Sequence, residues 1–526
     1  MASRTRRFFL NSISLTLTAL IMKGIGMLFS AYVAKNAGSE AMGLYSLLGS
    51  VYAFSITLAT AGINLGTTRL VSDALGVGDE LLAIRSVKRA LLVCSATGIF
   101  ATLLLYSLSP TLARGLLGDS RAIRPLRILA LSLAPIAICS CLSGYFTAVR
   151  RVRVNATLQV AAQLFKIGLT VFLLSTRVSK GAEEACVALV LGGAAAEFIS
   201  LALSYALYRI DILKLKGRCS LEQKSEGILR RLLGITLPVT VSACIRSALS
   251  MLQHALIPKG LKASGSSWQN ALSSYGALHG MAMPVILFPS AFIQAFAGLM
   301  IPEVSECCVQ NDTERLKRIG SRSLTLSLFF SIGTAGIMLF FSGELGMQIY
   351  NNSETAKYIR IIAPLIPVMY IDSAVDAILK GSGHQVYSMN VNIIDTLTAC
   401  IFALTLIPRL GIWGYVISIY ATEILNTALS LYKMISVCKI KVNVFHSVAM
   451  PIICIIGATN LSNLALRIIP LRFGSACNLT VSILLSLMIY IALLLATKTL
   501  GQDEKEFLYA SLLSERSYKS KFAVSA

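Results

Sequence analysis

Residues 71–93 read VSDALGVGDELLAIRSVKRALLV, and residues 304–326 read VSECCVQNDTERLKRIGSRSLTL. Laid together without a gap, Val71 falls on Val304, Ser72 on Ser305, Asp73 on Glu306, Asp79 on Asp312, Arg85 on Arg318 and Arg89 on Arg322, an offset of 233. The match recurs with a slight drift. Tyr45 in GLYSLL meets Tyr275 in SSYGAL at 230, and Pro135 meets Pro367 at 232. AAEFISLALS (195–204) meets ATEILNTALS (421–430) at 226, pairing Glu197 with Glu423. Self-similarity at a nearly fixed spacing marks an architecture built by duplication.

Composition identifies the duplicated unit. The 526 residues are 55% hydrophobic and 14% charged, with a mean hydropathy of +0.73, against about 45–50% apolar residues in soluble domains. About fourteen apolar runs, from 10–34 to 476–497, have the roughly 20 residues needed to cross a hydrocarbon core about 30 Å thick. The expectation is an all-α integral membrane protein. The offsets divide it into an N-lobe at 1–208 (helices 1–6), a basic cytoplasmic linker at 209–231 and a C-lobe at 232–441 (helices 7–12). Helices 13 and 14 follow at 442–498, and a cytoplasmic tail at 499–526. Six crossings is an even number, so both copies enter the membrane in the same direction. Such parallel repeats, related by an axis along the membrane normal, can rock around a central cavity. The first apolar segment, behind Arg4, Arg6 and Arg7, is too long for a signal peptide, contains Lys23 and lacks a small-x-small cleavage site.

The net charge of +22 reports topology. With the N-terminus placed in the cytoplasm and loops counted alternately, about 30 of the 47 Lys and Arg fall on that side. They include Arg85, Lys88 and Arg89, then Arg150, Arg151 and Arg153, the 209–231 connection, and Arg315, Lys317, Arg318 and Arg322. Both termini are therefore expected to be cytoplasmic. No aromatic-interleaved basic module accompanies the charge, which argues against nucleic acid as a partner. The twelve cysteines follow no metal-ligand spacing and read as small buried hydrophobes, so no metal is expected. No GxxxxGK[ST], HExxH or GxSxG stretch occurs. The chain is not expected to be an enzyme or to hold a cofactor, and work done by it would have to draw on a gradient.

Charges inside the membrane mark the candidate site. Each costs at least about 2.5–3.5 kcal/mol at the bilayer centre, so each should face a cavity or a partner. Lys23 and Arg246 stand at nearly corresponding positions in the first helix of each half, deep enough that snorkelling is awkward. Two cations presented to one space would attract a phosphate-bearing substrate. Arg69, near the end of helix 2, either joins them or snorkels to the interface; Lys166 lies in helix 5. On the acidic side, Asp372 and Asp376 lie one turn apart in YIDSAVDAILKG, placed either to bind a cation or to answer Arg246. Asp395 and Glu303 complete the acids, the latter near a helix end. Glu197 and Glu423 recur in the sixth helix of each half, either coupling transport to an ion or anchoring that helix to its own lobe. His254 and His279 either carry protons or are simply hydrogen-bonded. Pro238, Pro284, Pro289, Pro364 and Pro367 permit kinks.

The stretch GSEAMGLYSLLGSVYAFSITLATAGINLGTTRLVSD (38–73), a G-x-x-x-x-G-x-Y start leading through small residues to an Arg-containing, acid-terminated loop, resembles the polysaccharide transporter branch of the multidrug/oligosaccharidyl-lipid/polysaccharide exporter superfamily, its sporulation-type and lipid II flippase-like members in particular. The likeness covers nearly the whole chain. It implies a two-lobed flippase that moves undecaprenyl-diphosphate-linked saccharides, peptidoglycan precursor or polysaccharide units, between leaflets by alternating access. Its partners would be the lipid-linked anionic saccharide, membrane lipid and cell-wall synthases. In lipid II flippases of this superfamily, cavity arginines meet the diphosphate; Lys23, Arg69 and Arg246 occupy comparable places here. Helix 1 carries Lys rather than Arg, and helix 8 has no mid-membrane Arg. Helices 13 and 14 would help form a groove for the lipid tail. Two alternatives stand beside this reading: a cation-coupled multidrug exporter, a class typically of twelve helices, and a non-transporting scaffold of a cell-wall synthesis complex.

Overall fold

The computed structural model describes residues 2–60, 62–177, 181–215, 227–440, 445–468, 475–497 and 499. Among the described residues every regular element is helical. The chain begins with α1 (Ala2–Thr60), α2 (Ile63–Gly76), α3 (Glu80–Thr111), α4 (Ile123–Leu131), α5 (Leu133–Ala148), α6 (Val152–Arg177) and α7 (Ala182–Leu215). The middle holds α8 (Ile228–Ala263), α9 (Trp268–Tyr275), α10 (Met283–Leu287), α11 (Ser290–Gln310), α12 (Thr313–Phe340), α13 (Ser342–Tyr350), α14 (Ser353–Ile362) and α15 (Ile366–Gly381). It closes with α16 (Gln385–Thr405), α17 (Ile407–Leu410), α18 (Ile412–Cys438), α19 (Met450–Ile468) and α20 (Ser475–Ala496). Parts of the expected basic linker (216–226) and nearly all of the expected tail (500–526) lie outside the described residues.

Twelve segments among the described residues are long and apolar enough to cross a membrane, against the expected count of about fourteen. The difference has physical causes. The segment Ile21–Gly76 runs 56 residues, far more than the roughly 20 one crossing needs. It is broken at Gly38, whose φ of 78° and ψ of 174° fall in a region essentially restricted to glycine. Reaching fourteen would require counting this segment twice and adding α18. The eighth crossing expected from the sequence is instead a succession of pieces. After α9 comes a π turn at Gly276–Ala282, then α10, then a break at Pro289 before α11. Pro364 likewise falls in a 3-10 turn ahead of α15, whereas Pro238 sits inside an unbroken α8.

The repeat is visible in the packing. Asp79 and Asp312 are both N-caps, accepting from Leu82 N at 2.8 Å and Arg315 N at 2.9 Å. Each satisfies a backbone donor that would otherwise be orphaned at a helix start. Behind each cap lies a buried cluster whose members pair at 233: Val71 with Val304, Ala74 with Cys307, Ala83 with Leu316, Leu142 with Val375, Tyr145 with Ile378 and Phe146 with Leu379. Tyr208 and Met434 join at the offset of 226 that relates Glu197 to Glu423. Within a bilayer such clusters hold helices together by close packing, because lipid is as apolar as the side chains.

The same register holds where α1 meets α9. A Cβ on Gly43 would stand 2.1 Å from the Leu272 carbonyl oxygen, and one on Gly276 would stand 2.0 Å from the Ser39 carbonyl oxygen. Both pairs of partners, 39 with 272 and 43 with 276, are separated by 233, so the contact is reciprocal, backbone on backbone, and glycine is required on both sides. The Tyr45–Tyr275 match at 230 is corrected by this geometry: at 233 the counterpart of Tyr45 is Leu278.

The helices gather into two compact units, Met1–Gly280 with Cys400–Tyr415, and Met281–Ala399 with Val416–Ala526. In the first, α8 packs on α1 and α2, and α7 packs on α6. In the second, α15 packs on α11 and α12, and α19 packs on α12 and α20. The packing units thus do not coincide with the boundaries of the sequence repeat at 208 and 232, because α8 and α9 pack with the first copy.

Candidate functional site

In the first unit the three expected cations are Lys23 on α1, Arg69 on α2 and Arg246 on α8, the helix that packs on both others, each with an exposed side chain. Beside Arg246, Ser247 accepts a hydrogen bond from Thr57 at 3.3 Å, which ties α8 to the part of α1 that follows the Gly38 break.

Glu197 is half-buried on α7, and Lys166 of α6 is the cation whose charge reaches it. The reason is local packing. Gly192 and Gly193 let α6 approach closely, so the Lys166 stem lies 3.8 Å from where a Gly193 Cβ would stand, one turn from Glu197. His254 and His279 belong to an aromatic cluster. Tyr275 Oη and His254 Nδ1 are hydrogen-bonded at 3.1 Å, the histidine rings lie 4.5 Å apart, and Tyr275 stacks on His279.

The second unit gathers carboxylates. Glu423 of α18, half-buried, has Asp372 and Asp395 as its charged neighbours, whereas its counterpart Glu197 has a lysine. Asp372 of α15 accepts from the Asn426 amide at 3.2 Å and from the Ser430 hydroxyl, both on α18. Asp376, one turn on, instead pairs with Lys380 and accepts from Ser388. The two aspartates therefore share a helix face but not a partner.

Sequence reasoning missed a polar network in the first unit. Asp119, its side chain only 5% exposed, accepts from Arg121 N at 2.9 Å, from the Arg121 guanidinium at 2.8 Å and from Trp268 Nε1 at 3.0 Å. Arg121 also reaches Glu40 at 2.7 Å, and Lys259 donates to the Gly115 carbonyl. Burial alone would raise the Asp119 carboxyl; the Arg121 and Trp268 hydrogen bonds outweigh it and hold the group below the usual carboxylate range. The available signal was Trp268, one of only two tryptophans in the chain, next to the apolar α8.

A family model described as polysaccharide biosynthesis protein matches residues 9–308, and one described as MatE matches residues 265–405. Stage V sporulation protein B of Bacillus subtilis (strain 168) is 25% identical over 510 residues, which cover 96% of this chain and 98% of that protein. Among solved structures, lipid II flippase MurJ in an inward closed conformation superposes with a TM-score of 0.67 at 13% identity, covering 92% of this chain and 99% of that one. An inward-facing multidrug resistance MATE family transporter gives 0.61 at 18%, covering 81% and 99%. At such identities these structures establish the fold.

Proposed function

Since this chain belongs to the polysaccharide biosynthesis protein family, membrane transporters of the multidrug/oligosaccharidyl-lipid/polysaccharide exporter superfamily rather than enzymes, we propose that it is a flippase for undecaprenyl-diphosphate-linked saccharides. It works by alternating access between two lobes, 1–208 and 232–441, with both termini in the cytoplasm and helices 13 and 14 lining the path of the lipid tail. The observation that carries this reading is the placement of Lys23, Arg69 and Arg246 on α1, α2 and α8 of one compact unit, with α8 packed on the other two. A diphosphate carries charge that cations of this kind neutralise at low cost, Arg by bidentate contact and Lys as a point charge. The carboxylates Glu423, Asp372 and Asp376, with Glu197, supply the coupling or anchoring half of the cycle. Cell-wall synthases would deliver or consume the substrate. The family's description and the flippase among the structural neighbours support the substrate class.

The MatE match over 265–405 favours one other reading, a cation-coupled exporter of amphiphilic drugs. One experiment separates them: translocation of a labelled undecaprenyl-diphosphate sugar by the purified chain in proteoliposomes, with Lys23→Ala and Arg246→Ala beside the wild type. Flipping by the wild type and its loss in both variants is expected. Equal flipping by all three overturns the role of the cations, and drug efflux without flipping favours the exporter.

A further inference from the structure

Each unit carries a pocket at the end of its long cap-bearing helix that lies opposite the Asp79 or Asp312 cap. The first, about 460 Å³, is lined by Tyr106 of α3 and by Ile123, Arg124, Arg127 and Leu131 on and around α4. The second, about 720 Å³, is lined by Leu339 and Phe340 of α12, by Ala356, Lys357 and Arg360 of α14, and by Ile456 of α19. Nothing in the function proposed above uses either one.

The two pockets are one pocket copied. At the offset of 233, Tyr106 falls on Leu339, Ile123 on Ala356, Arg124 on Lys357 and Arg127 on Arg360. Burial repeats residue for residue over 122–130 and 355–363, with only the cations, 124 and 127 or 357 and 360, exposed in each stretch. Even the preceding cap is shared, since Asp119 and Asn352 each open a helical turn, accepting from Arg121 N and Thr355 N. A surface without a task would be expected to lose so particular an arrangement in one copy when the rest of the sequence has drifted as far as it has.

The chemistry of the lining names the occupant. Two cations three residues apart present adjacent charges from one helix face, at a helix end where snorkelling side chains meet lipid headgroups. Beneath them the lining is apolar and exposed: Tyr106 and Leu131 in the first pocket, Leu339, Phe340 and Ile456 in the second. Cations above and apolar surface below complement a phosphodiester carrying acyl chains. The copies differ in their acidic neighbours. In the first, Arg124 pairs with Glu184 at 2.7 Å and Glu183 joins the lining, while Arg127 lies over the Tyr106 ring and donates to Ser109. The second has Glu344 as its acidic lining residue and adds the polar Thr459 and Asn460.

We propose that these are paired binding sites for the phosphate headgroup of an anionic bilayer phospholipid. The test measures phosphatidylglycerol retained by the full chain after extraction from phosphatidylcholine vesicles doped with it, by native mass spectrometry. Each basic residue at an anionic membrane surface is worth about a five-fold factor, so Lys357→Ala with Arg360→Ala should weaken retention about 30-fold. The charge-preserving exchange Lys357→Arg with Arg360→Lys should keep it, and Arg127→Ala should cost about five-fold. Undiminished retention in a double variant that elutes as the folded wild type overturns the proposal. So does inorganic phosphate that displaces the lipid at equal concentration, because the apolar lining would then contribute nothing. Should the double variant not fold, Arg360→Gln alone gives the same reading, with a five-fold loss expected and no loss overturning it.

Discussion

Replacing Asp119 with Ala removes the acceptor on which Arg121 and Trp268 converge. The loss can be worked from the contacts. The indole N–H, part-buried, loses its acceptor, Asp119 Oδ2, and an orphaned donor costs about 1–3 kcal/mol. Arg121 loses charged hydrogen bonds worth about 1.5–3 kcal/mol where solvent is excluded. Its side chain is 28% exposed and keeps Glu40, so roughly a third of that survives screening. Together the variant should lose about 2–3 kcal/mol, and Trp268→Phe alone about 1 kcal/mol, since Phe keeps the packing and removes only the donor. Because the chain has two tryptophans, a Trp413→Phe background makes Trp268 fluorescence report on this site. The pH dependence has a definite sign. The folded Asp119 carboxyl titrates below its unfolded value of about 3.9. Its stabilisation is therefore complete above that value and disappears as pH falls through the folded one. The midpoint of denaturant unfolding followed by Trp268 should hold steady from pH 8 to about pH 5 and drop only below about pH 4. Midpoints for Asp119→Ala within about 0.5 kcal/mol of the background at pH 7, or a loss already evident at pH 6, would refute the reasoning.

Gly276→Ala should abolish or sharply reduce folded yield, because its methyl would sit 2.0 Å from a backbone oxygen, whereas Gly298→Ala, with nothing within 4 Å, should fold normally; size-exclusion chromatography of detergent-solubilised protein distinguishes them. Glu197→Gln and Glu423→Gln should diverge. The first unbalances a lysine and should lower thermal stability, while the second relieves a gathering of carboxylates and should leave stability unchanged or raised, with the ion dependence of transport altered. Equal effects from both would return the two glutamates to a common architectural role.

The fold was legible because duplication and hydropathy both act at long range. An offset of 233 survives in Asp79 and Asp312, where a residue without a side-chain acceptor would orphan a helix N-terminus, and in a buried cluster whose members vary in identity but keep their positions. Crossing number was less legible, because a single positive-φ glycine at 38 and the break at Pro289 decide where one helix stops. Hydropathy averages across such points.

The site was legible in its charges and not in their partners, and the reason is that a duplicated position fixes where a side chain stands but not what stands opposite. Glu197 and Glu423 share an alanine two residues before them and the Ala-Leu-Ser that follows. Opposite them, one copy has a lysine on α6 and the other has aspartates on α15 and α16. A residue alone can be inherited by duplication; a pair must be inherited twice, and drift in either member breaks it. The Arg124–Arg127 and Lys357–Arg360 pockets show the converse. There the two cations ride on one short helix, so a single inherited segment carries both charges. Functions confined to one element should therefore persist in both halves of this chain, and functions that need two elements to meet should be where the halves have specialised.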